Sequence, residues 1–395
     1  MKLSWIYKKD AAYKPFLLSI LFMGLAYGLY KGLQDNYLAE IVVMGEFERG
    51  VAEFFRELPG LLLVFILAAL YMFSAETIFK IGAVIMVVGM GMLSLVPPTA
   101  VLVILSICIF SLGEHIQLGM KNAISLEYAL PSMGGQALGI QNSANQAGTL
   151  AGFLIVLAAF SFIESTVENF RLFFMIAAGI MVAGMLCGFR LPSRTAQDAS
   201  KRRFYFRKKY TKYYFLEVFY GARKQVFFTF GPYVLILFYG ADAATISLLF
   251  AVSAICGFVL APHVGKLIDR IGYKIVMVSD TLILVIVCFF YGFAHHIFPK
   301  DVAFIVCCVN YVLDSVISLA SMAANVYVQD LSDDPEETRA TISTGISVNH
   351  LITVLIALFG GWIWKTLGIE TLFILSAVLG LCNSAYAATI KVKKK

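Results

Sequence analysis

The sequence predicts an all-α polytopic membrane protein of twelve transmembrane helices, arranged as two six-helix, pseudo-symmetric bundles. Three observations predict this fold class: a composition that is 60% hydrophobic and 14% charged, apolar runs that recur along all 395 residues, and one long polar segment near the middle. A soluble chain of this length needs far more polar surface to cover its core. Because a span takes ~20 apolar residues plus a short connection, the length holds about twelve spans.

The apolar runs give the spans in order. They lie at 15–41, 51–73, 79–96, 100–125, 136–160, 169–190, 213–239, 244–264, 273–298, 302–328, 339–361 and 370–390. The sixth and seventh runs are separated by the basic segment 191–212. We therefore expect an N-terminal bundle over 1–190, a basic cytoplasmic linker over 191–212, and a C-terminal bundle over 213–395.

Lysine and arginine in the short loops predict the orientation in the membrane. With twelve spans, the N-terminus, the linker and the C-terminus share one side. That side carries Lys2, Lys8, Lys9, Lys14, the linker cluster, Lys266, Arg270, Lys274, Arg339, Lys391 and residues 393–395. The pattern predicts that both termini are cytoplasmic in a cell inner membrane, and the linker charges are typical of a lipid-facing topology signal more than of a nucleic-acid site.

The two halves resemble each other, as expected for a transporter built from repeats. Tyr27, Gly28 and Lys31 in the first span recur as Tyr220, Gly221 and Lys224 in the seventh, and Pro131, Ser143 and Asn145 recur as Pro335, Ser347 and Asn349. The matches keep their order and fall in corresponding spans. They predict a six-plus-six repeat.

The connection between spans eight and nine reads Gly265-Lys-Leu-Ile-Asp269-Arg270-Ile-Gly272-Tyr-Lys274. This segment resembles the G-x-L-x-D-R-x-G-x-[RK] loop signature of the major facilitator superfamily. The resemblance implies alternating access by two bundles about a midplane site, with Gly265, Asp269, Arg270 and Gly272 biasing the conformational equilibrium. The corresponding first-half segment, 74–82, keeps an acid, a base and a glycine but departs from the pattern.

Charged residues inside spans are costly and are candidates for function. Lys31 and Asp35 lie one turn apart in span one near Tyr27, while Arg223 and Lys224 lie in the repeat-related span seven. In the family this chain resembles, spans one, four, seven and ten line the cavity. The predicted substrate-binding residues are Tyr27, Lys31, Asp35, Asn145, Arg223, Lys224 and Asn349.

Three interpretations of these charges stay open. The cations bind an anionic solute; or they form an internal network, Lys31 with Asp35 and Arg223 or Lys224 with Glu217, Glu114 or Asp314; or that network changes with proton load. Glu114 and Asp314, near the centres of spans four and ten, are the predicted coupling residues. The polar faces that hold Asn145 and Asn349 fit helix packing and solute contact equally well.

We therefore expect a secondary active transporter of a small hydrophilic solute, with an organic anion favoured, coupled to a proton or to a counter-substrate. The alternatives are a proton-coupled carrier of a neutral solute such as a sugar or nucleoside, and efflux of amphipathic compounds. A membrane enzyme or sensor is disfavoured because the sequence offers no nucleophile–base pair. The expected partners are the solute, the coupling ion and the bilayer, without nucleic acid, cofactor or metal, for a monomeric protein.

Overall fold

The computed structural model describes residues 5–8, 11–70, 72–131, 133–192, 206–333 and 335–391. Within this part of the chain the regular structure is helical. The α-helices are α1 Tyr13–Asn36, α2 Glu46–Ala69, α3 Ala75–Leu95, α4 Ala100–Tyr128, α5 Gly134–Phe160, α6 Val167–Phe189, α7 Thr211–Tyr239, α8 Ala243–Ile271, α9 Tyr273–Ile297, α10 Lys300–Ile317, α11 Met322–Leu331, α12 Pro335–Leu367 and α13 Ile369–Ala388.

The helices account for the predicted spans. Among the described residues, ten segments are long and apolar enough to cross a membrane. One of them, Lys300–Leu331, joins α10 to α11 through a 3₁₀ turn, so these two helices make a single span. Helices α2 and α7 have the length of a span but carry several charged residues in their first halves. The all-α polytopic fold class is therefore confirmed.

Helix boundaries follow local side-chain and backbone preferences. Ser74 caps α3, since its hydroxyl accepts a hydrogen bond from the Thr77 amide. Gly240, Gly272 and Gly368 have positive φ angles of 73°, 88° and 89°. Glycine is the residue that adopts this left-handed conformation without a Cβ clash. These glycines let α7, α8 and α12 end within one residue and the chain reverse direction.

The chain divides into two compact units. The first unit holds Met1–Val43, Phe55–Lys201 and Asp242–Ala251, and the second holds Met44–Phe54, Arg202–Ala241 and Val252–Lys395. The second unit thus includes the start of α2, and the first unit includes the start of α8. Most of the predicted basic linker, residues 193–205, lies outside the described residues, as do the lysines at positions 2, 9 and 393–395.

Repeat-related glycines let the helices approach closely in each unit. In the first unit, a Cβ at Gly28 of α1 would overlap the Thr149 carbonyl of α5. In the second unit, a Cβ at Gly221 of α7 would lie 2.8 Å from the Asn349 side chain of α12. Small residues at helix crossings are typical of membrane bundles, where dispersion contacts replace the hydrophobic effect. The Tyr-Gly-x-x-Lys repeat therefore has a packing role in both halves.

A short segment before the first helix of each repeat binds the chain where the fourth span of that repeat ends. The Lys8 amide donates to the Tyr128 carbonyl at 2.9 Å in the first unit. In the second unit, the hydroxyls of Tyr210 and Ser332 are 2.9 Å apart, and the Lys209 amine is 2.8 Å from Asp333. Hydrogen bonding to Asp333 and then to Glu337 raises the pKa of Lys209 above its ordinary value.

Candidate functional site

Lys31 and Asp35 of α1 form an ion pair with each other inside the first unit. The Lys31 Nζ lies 3.0 Å from the Asp35 Oδ2, and both side chains are buried. The same ammonium lies 5.5 Å from the centre of the Phe250 ring, which adds a cation–π contact. Tyr27, one turn earlier, is partly buried. The i, i+4 spacing predicted the Lys31–Asp35 pairing as one of its alternatives, and the structure contains it.

Glu114 is a partly buried residue of α4 in the first unit. It interacts electrostatically with Lys121, two turns further along the same helix. The neighbouring His115 is buried, with its Nδ1 3.0 Å from the Ser111 hydroxyl and 2.8 Å from the Ser111 carbonyl. Glu114 therefore has a cation close to it on its own helix.

The basic residue of α7 bonds a carboxylate that sequence reasoning missed. The Arg223 Nη2 lies 3.2 Å from the Asp280 Oδ2 of α9, and the two side chains are 1% and 8% exposed. The guanidinium also lies over the Tyr220 ring at 4.9 Å. Asp280 stands inside the apolar run 273–298, so the rule that flagged other charges within spans would have found it.

Asp314 of α10 lies near this pair, and it interacts electrostatically with Arg223 and Lys224. Its side chain is buried, and its Oδ1 has no hydrogen-bond partner among the described residues. The Nε and Nη1 of Arg223 are likewise buried without a partner in that part of the chain. Lys224 is exposed. The second unit thus holds hydrogen-bonding capacity that its own described residues do not use.

The two predicted asparagines occupy different surroundings. The Asn349 amide nitrogen donates to the Glu217 Oε2 and to the Glu217 carbonyl, both at 3.2 Å, and so ties α12 to α7. Asn145 is partly buried, and its backbone carbonyl lies against Gly24 of α1. Both asparagines stand at glycine-lined helix crossings.

A small cavity lies within the second unit, with a water-accessible volume of about 20 Å³. The oxygen-bearing residues that line it are Glu217, Tyr220, Asp280, Ser321 and Asn383. Asn383 of α13 is 6% exposed, and its Oδ1 has no hydrogen-bond partner among the described residues. Sequence reasoning did not single out Asn383, because one uncharged polar residue in a span gives a weak signal.

The start of α2 brings further charges into the second unit. Arg49 and Glu53 form a fully buried ion pair at 2.9 Å. Gln225 of α7 donates to the Glu53 carboxylate at 3.1 Å, which links the two helices. The sequence carries no signal for the role of Gln225, because a single uncharged amide in a span is common. Arg56 and Glu57, further along α2, pair with each other in the first unit.

The loop signature forms the turn between α8 and α9. Gly272 adopts the left-handed conformation there, while Asp269 and Arg270 are exposed. Lys274 donates to the Ile390 carbonyl at 2.9 Å, just past the end of α13. In the first unit, Lys80 donates to the Leu191 carbonyl at 2.7 Å, just past α6. The divergent first-half segment therefore keeps this contact of its basic residue.

A cluster of two histidines and a glutamate joins the end of α9 to the start of α13. The Nε2 atoms of His295 and His296 lie 3.2 and 2.7 Å from the Glu370 Oε1. These three side chains offer ligand atoms close enough together for one metal ion. Because Glu370 of α13 contacts both histidines of α9, the cluster also links the two helices.

Comparison with known proteins agrees with this architecture. Residues 213–394 match the family model described as Major Facilitator Superfamily. The structure of the nucleoside transporter NupG is 17% identical, covers 97% of this chain and 100% of that chain, and has a TM-score of 0.75. A POT family transporter in complex with 5-aminolevulinic acid is 12% identical over 94% of both chains, with a TM-score of 0.75.

The E. coli fucose:proton symporter FucP is 14% identical over 96% of this chain and 99% of that chain, with a TM-score of 0.61. No curated protein sequence matches the chain significantly. At these identities, the structural likeness concerns the fold.

The apolar helices define a multi-pass membrane protein. The second half of the chain therefore resembles the major facilitator superfamily, and the whole chain shares the fold of solved transporters.

Proposed function

We propose that this protein moves a small, uncharged hydrophilic solute together with a proton. The observation that carries the proposal is the pairing of cations inside each unit: Lys31 bonds Asp35, and Arg223 bonds Asp280. An anionic solute would have to displace these carboxylates from their partners. Breaking a buried pair costs about 3 to 5 kcal/mol, so bound anions are disfavoured at both places.

The charge count of the second unit supports proton coupling. Its interior group comprises three carboxyls, Glu217, Asp280 and Asp314, against two cations, the buried Arg223 and the neighbouring Lys224, whose side chain is exposed. With all five side chains ionised, the interior group carries one net negative charge. A net charge in an apolar interior is costly, so the group favours one added positive charge. A bound proton supplies that charge.

Asp314 is the member of this group that we assign to carry the proton. Asp280 bonds Arg223, and Glu217 accepts from Asn349. Asp314 has neither contact among the described residues, and its Oδ1 is without a partner there. Proton binding neutralises the least compensated carboxyl, and proton release leaves it to attract Lys224. Such a change is a means of coupling a proton to a conformational equilibrium.

Two solved proteins of this fold support an uncharged solute. One is a nucleoside transporter and the other is a fucose:proton symporter. Tyr27 and Asn145 in the first unit, and Asn349 in the second, are the hydrogen-bonding residues that we propose for solute recognition. Sugars and nucleosides offer hydroxyls to such groups.

A second candidate, transport of an organic anion, is favoured by one observation. Lys224 is exposed, and no salt bridge within 4.0 Å holds it in the described part of the chain. An ammonium in this state attracts carboxylates and phosphates as a point charge. In this reading Lys224 binds the solute, with the neighbouring Arg223 contributing through its field.

A ligand-stabilisation melt of the purified protein separates the two candidates. The compounds are nucleosides, monosaccharides, dicarboxylates and organic phosphates, since a specific binder raises the melting temperature by mass action. We expect an uncharged compound to stabilise the parent, Lys31→Ala and Lys224→Ala alike. Stabilisation by an anion that Lys224→Ala abolishes would overturn the uncharged-solute proposal and support the anion carrier.

Membrane placement and assembly complete the proposal. The distribution of lysine and arginine supports an inner-membrane location with both termini in the cytoplasm. We propose that the protein works as a monomer, since each unit encloses its own charged interior. Cysteine labelling of the 206–210 segment and of the α9–α10 connection from each side of intact cells tests the orientation.

A further inference from the structure

We propose that the cavity between Glu217, Asp280 and Asn383 in the second unit binds a sodium ion. The inference rests on the proposed cation-coupled function and names a second coupling ion for it. The cavity lies among α7, α9, the 3₁₀ turn after α10, α11 and α13, all within one unit.

The lining of the cavity has the chemistry of a hard-cation site. Carboxylates, side-chain carbonyls and hydroxyls are the ligands that such cations prefer. Glu217, Asp280 and Ser321 supply carboxylate and hydroxyl oxygens, and Asn383 supplies an amide oxygen. These four residues come from four different segments of the chain, which the fold brings to one point.

The second observation is the amide of Asn383. This side chain is 6% exposed, and its Oδ1 is buried without a hydrogen-bond partner in the described residues. A buried polar atom without a partner is unfavourable, because it has lost its hydrogen bonds to water. Because Asn383 lines the cavity, a cation there would satisfy this oxygen. The acidic pair alone would not identify a site, but an orphaned acceptor beside it does.

Charge and size select a small monovalent ion. Glu217 and Asp280 carry two negative charges, and Arg223 already offsets one of them at 3.2 Å. Lys224 offsets the other, so an ionised Asp314 leaves one net negative charge in the group. One positive charge then completes neutrality, while a divalent ion would leave an excess. A water-accessible volume of about 20 Å³ holds about one water-sized body. Mg²⁺, which keeps several waters, needs more room.

Sodium and the proton compete for the same excess negative charge. When Asp314 is protonated, the interior group is neutral, and a sodium ion would add an uncompensated charge. When Asp314 is ionised, sodium restores neutrality. The titratable groups around the cavity and the adjoining pair are Tyr213, Glu217, Tyr220, Arg223 and Lys224 on α7, Asp280 and Cys288 on α9, and Asp314 on α10.

The test is a melt of the purified full-length protein in NaCl, KCl or choline chloride at equal ionic strength. We expect NaCl to raise the melting temperature at pH 8 and to have little effect at pH 5. Asn383→Leu should weaken the apparent sodium affinity at least tenfold. Asn310→Leu is the matched control, because Asn310 is also 6% exposed in the same unit but bonds the Val306 carbonyl away from the cavity.

Radioactive ²²Na⁺ binding to the parent keeps the test independent of variant folding. Binding that excess Na⁺ displaces and choline does not would support the site. Equal stabilisation by all three chlorides, or an unchanged response in a folded Asn383→Leu variant, would overturn it. If the solute still drives proton movement but the protein shows no response to sodium, only the sodium site is contradicted. If the protein responds to sodium but the solute drives no proton movement, only proton coupling is contradicted.

Discussion

The Arg223 guanidinium lies 3.2 Å from the Asp280 carboxylate, and this pair joins α7 to α9 across 57 residues of sequence. Both side chains are almost fully buried. The Ser376 hydroxyl of α13 adds a hydrogen bond to the Arg223 carbonyl at 3.4 Å. The pair is the fixed part of the second unit's charged interior, around which Asp314 and the cavity are arranged.

Breaking this pair should destabilise the protein strongly. We expect Arg223→Gln or Asp280→Asn alone to cost about 3 kcal/mol, since each leaves a buried charge without its partner. The double variant should lose less than the sum, because both charges are removed together. Denaturant unfolding in detergent measures the three values. Additive losses, within about 0.5 kcal/mol, would show that the two residues are not coupled.

The loop signature offers a matched pair of glycines. Gly272 has a φ of 88°, while Gly265 lies within α8, and a Cβ at either position would meet no atom within 4 Å. Gly272→Ala should destabilise by about 1 to 2 kcal/mol, because an L-residue is strained in that conformation. Gly265→Ala should be neutral or stabilising through helix propensity. Equal melting temperatures for the two variants would contradict this assignment of backbone strain.

Close approach of α1 and α5 gives a second glycine comparison. Gly28→Ala places a methyl group against the backbone of Thr149, which cannot move aside as a side chain can. We expect the variant to lose several degrees of melting temperature. Gly91→Ala in α3 is the control, since its Cβ would meet nothing within 4 Å. A folded Gly28→Ala variant as stable as Gly91→Ala would rule out the packing role of the repeat glycine.

The Lys209 contacts predict a pH dependence outside the membrane. Hydrogen bonding to Asp333 raises the pKa of Lys209, so its contribution to stability is complete below its unfolded pKa of about 10.4. The contribution is lost as pH rises through the higher folded pKa. The difference in melting temperature between the parent and Lys209→Gln should therefore be constant from about pH 7 to 9 and shrink above the unfolded pKa. A difference that vanishes by pH 8 would contradict this.

The sequence predicted the fold from composition and run length, because the bilayer imposes both on every span. It also predicted the Lys31–Asp35 contact as one alternative, since residues four apart on a helix are neighbours. It did not predict the partner of Arg223. That choice depends on how α7 packs against α9, which no local pattern encodes.

The cavity was harder to predict from the sequence than the ion pairs. Asp280 was detectable as a charge within a span, but Asn383 and Gln225 gain meaning only from what surrounds them in three dimensions. Divergence concealed the first-half copy of the loop signature in a similar way. Lys80 keeps the contact that Lys274 makes, although neither the aspartate nor the two glycines of the pattern stand at the corresponding positions.

We propose that the second unit takes up one proton, on Asp314, as an uncharged solute is moved. The most direct measurement is the internal pH of proteoliposomes when a solute identified by the melt is added outside. The parent should acidify the interior, and Asp314→Asn should lose this signal but still exchange labelled for unlabelled solute. An Asp314→Asn variant that acidifies the interior as fast as the parent would contradict the account.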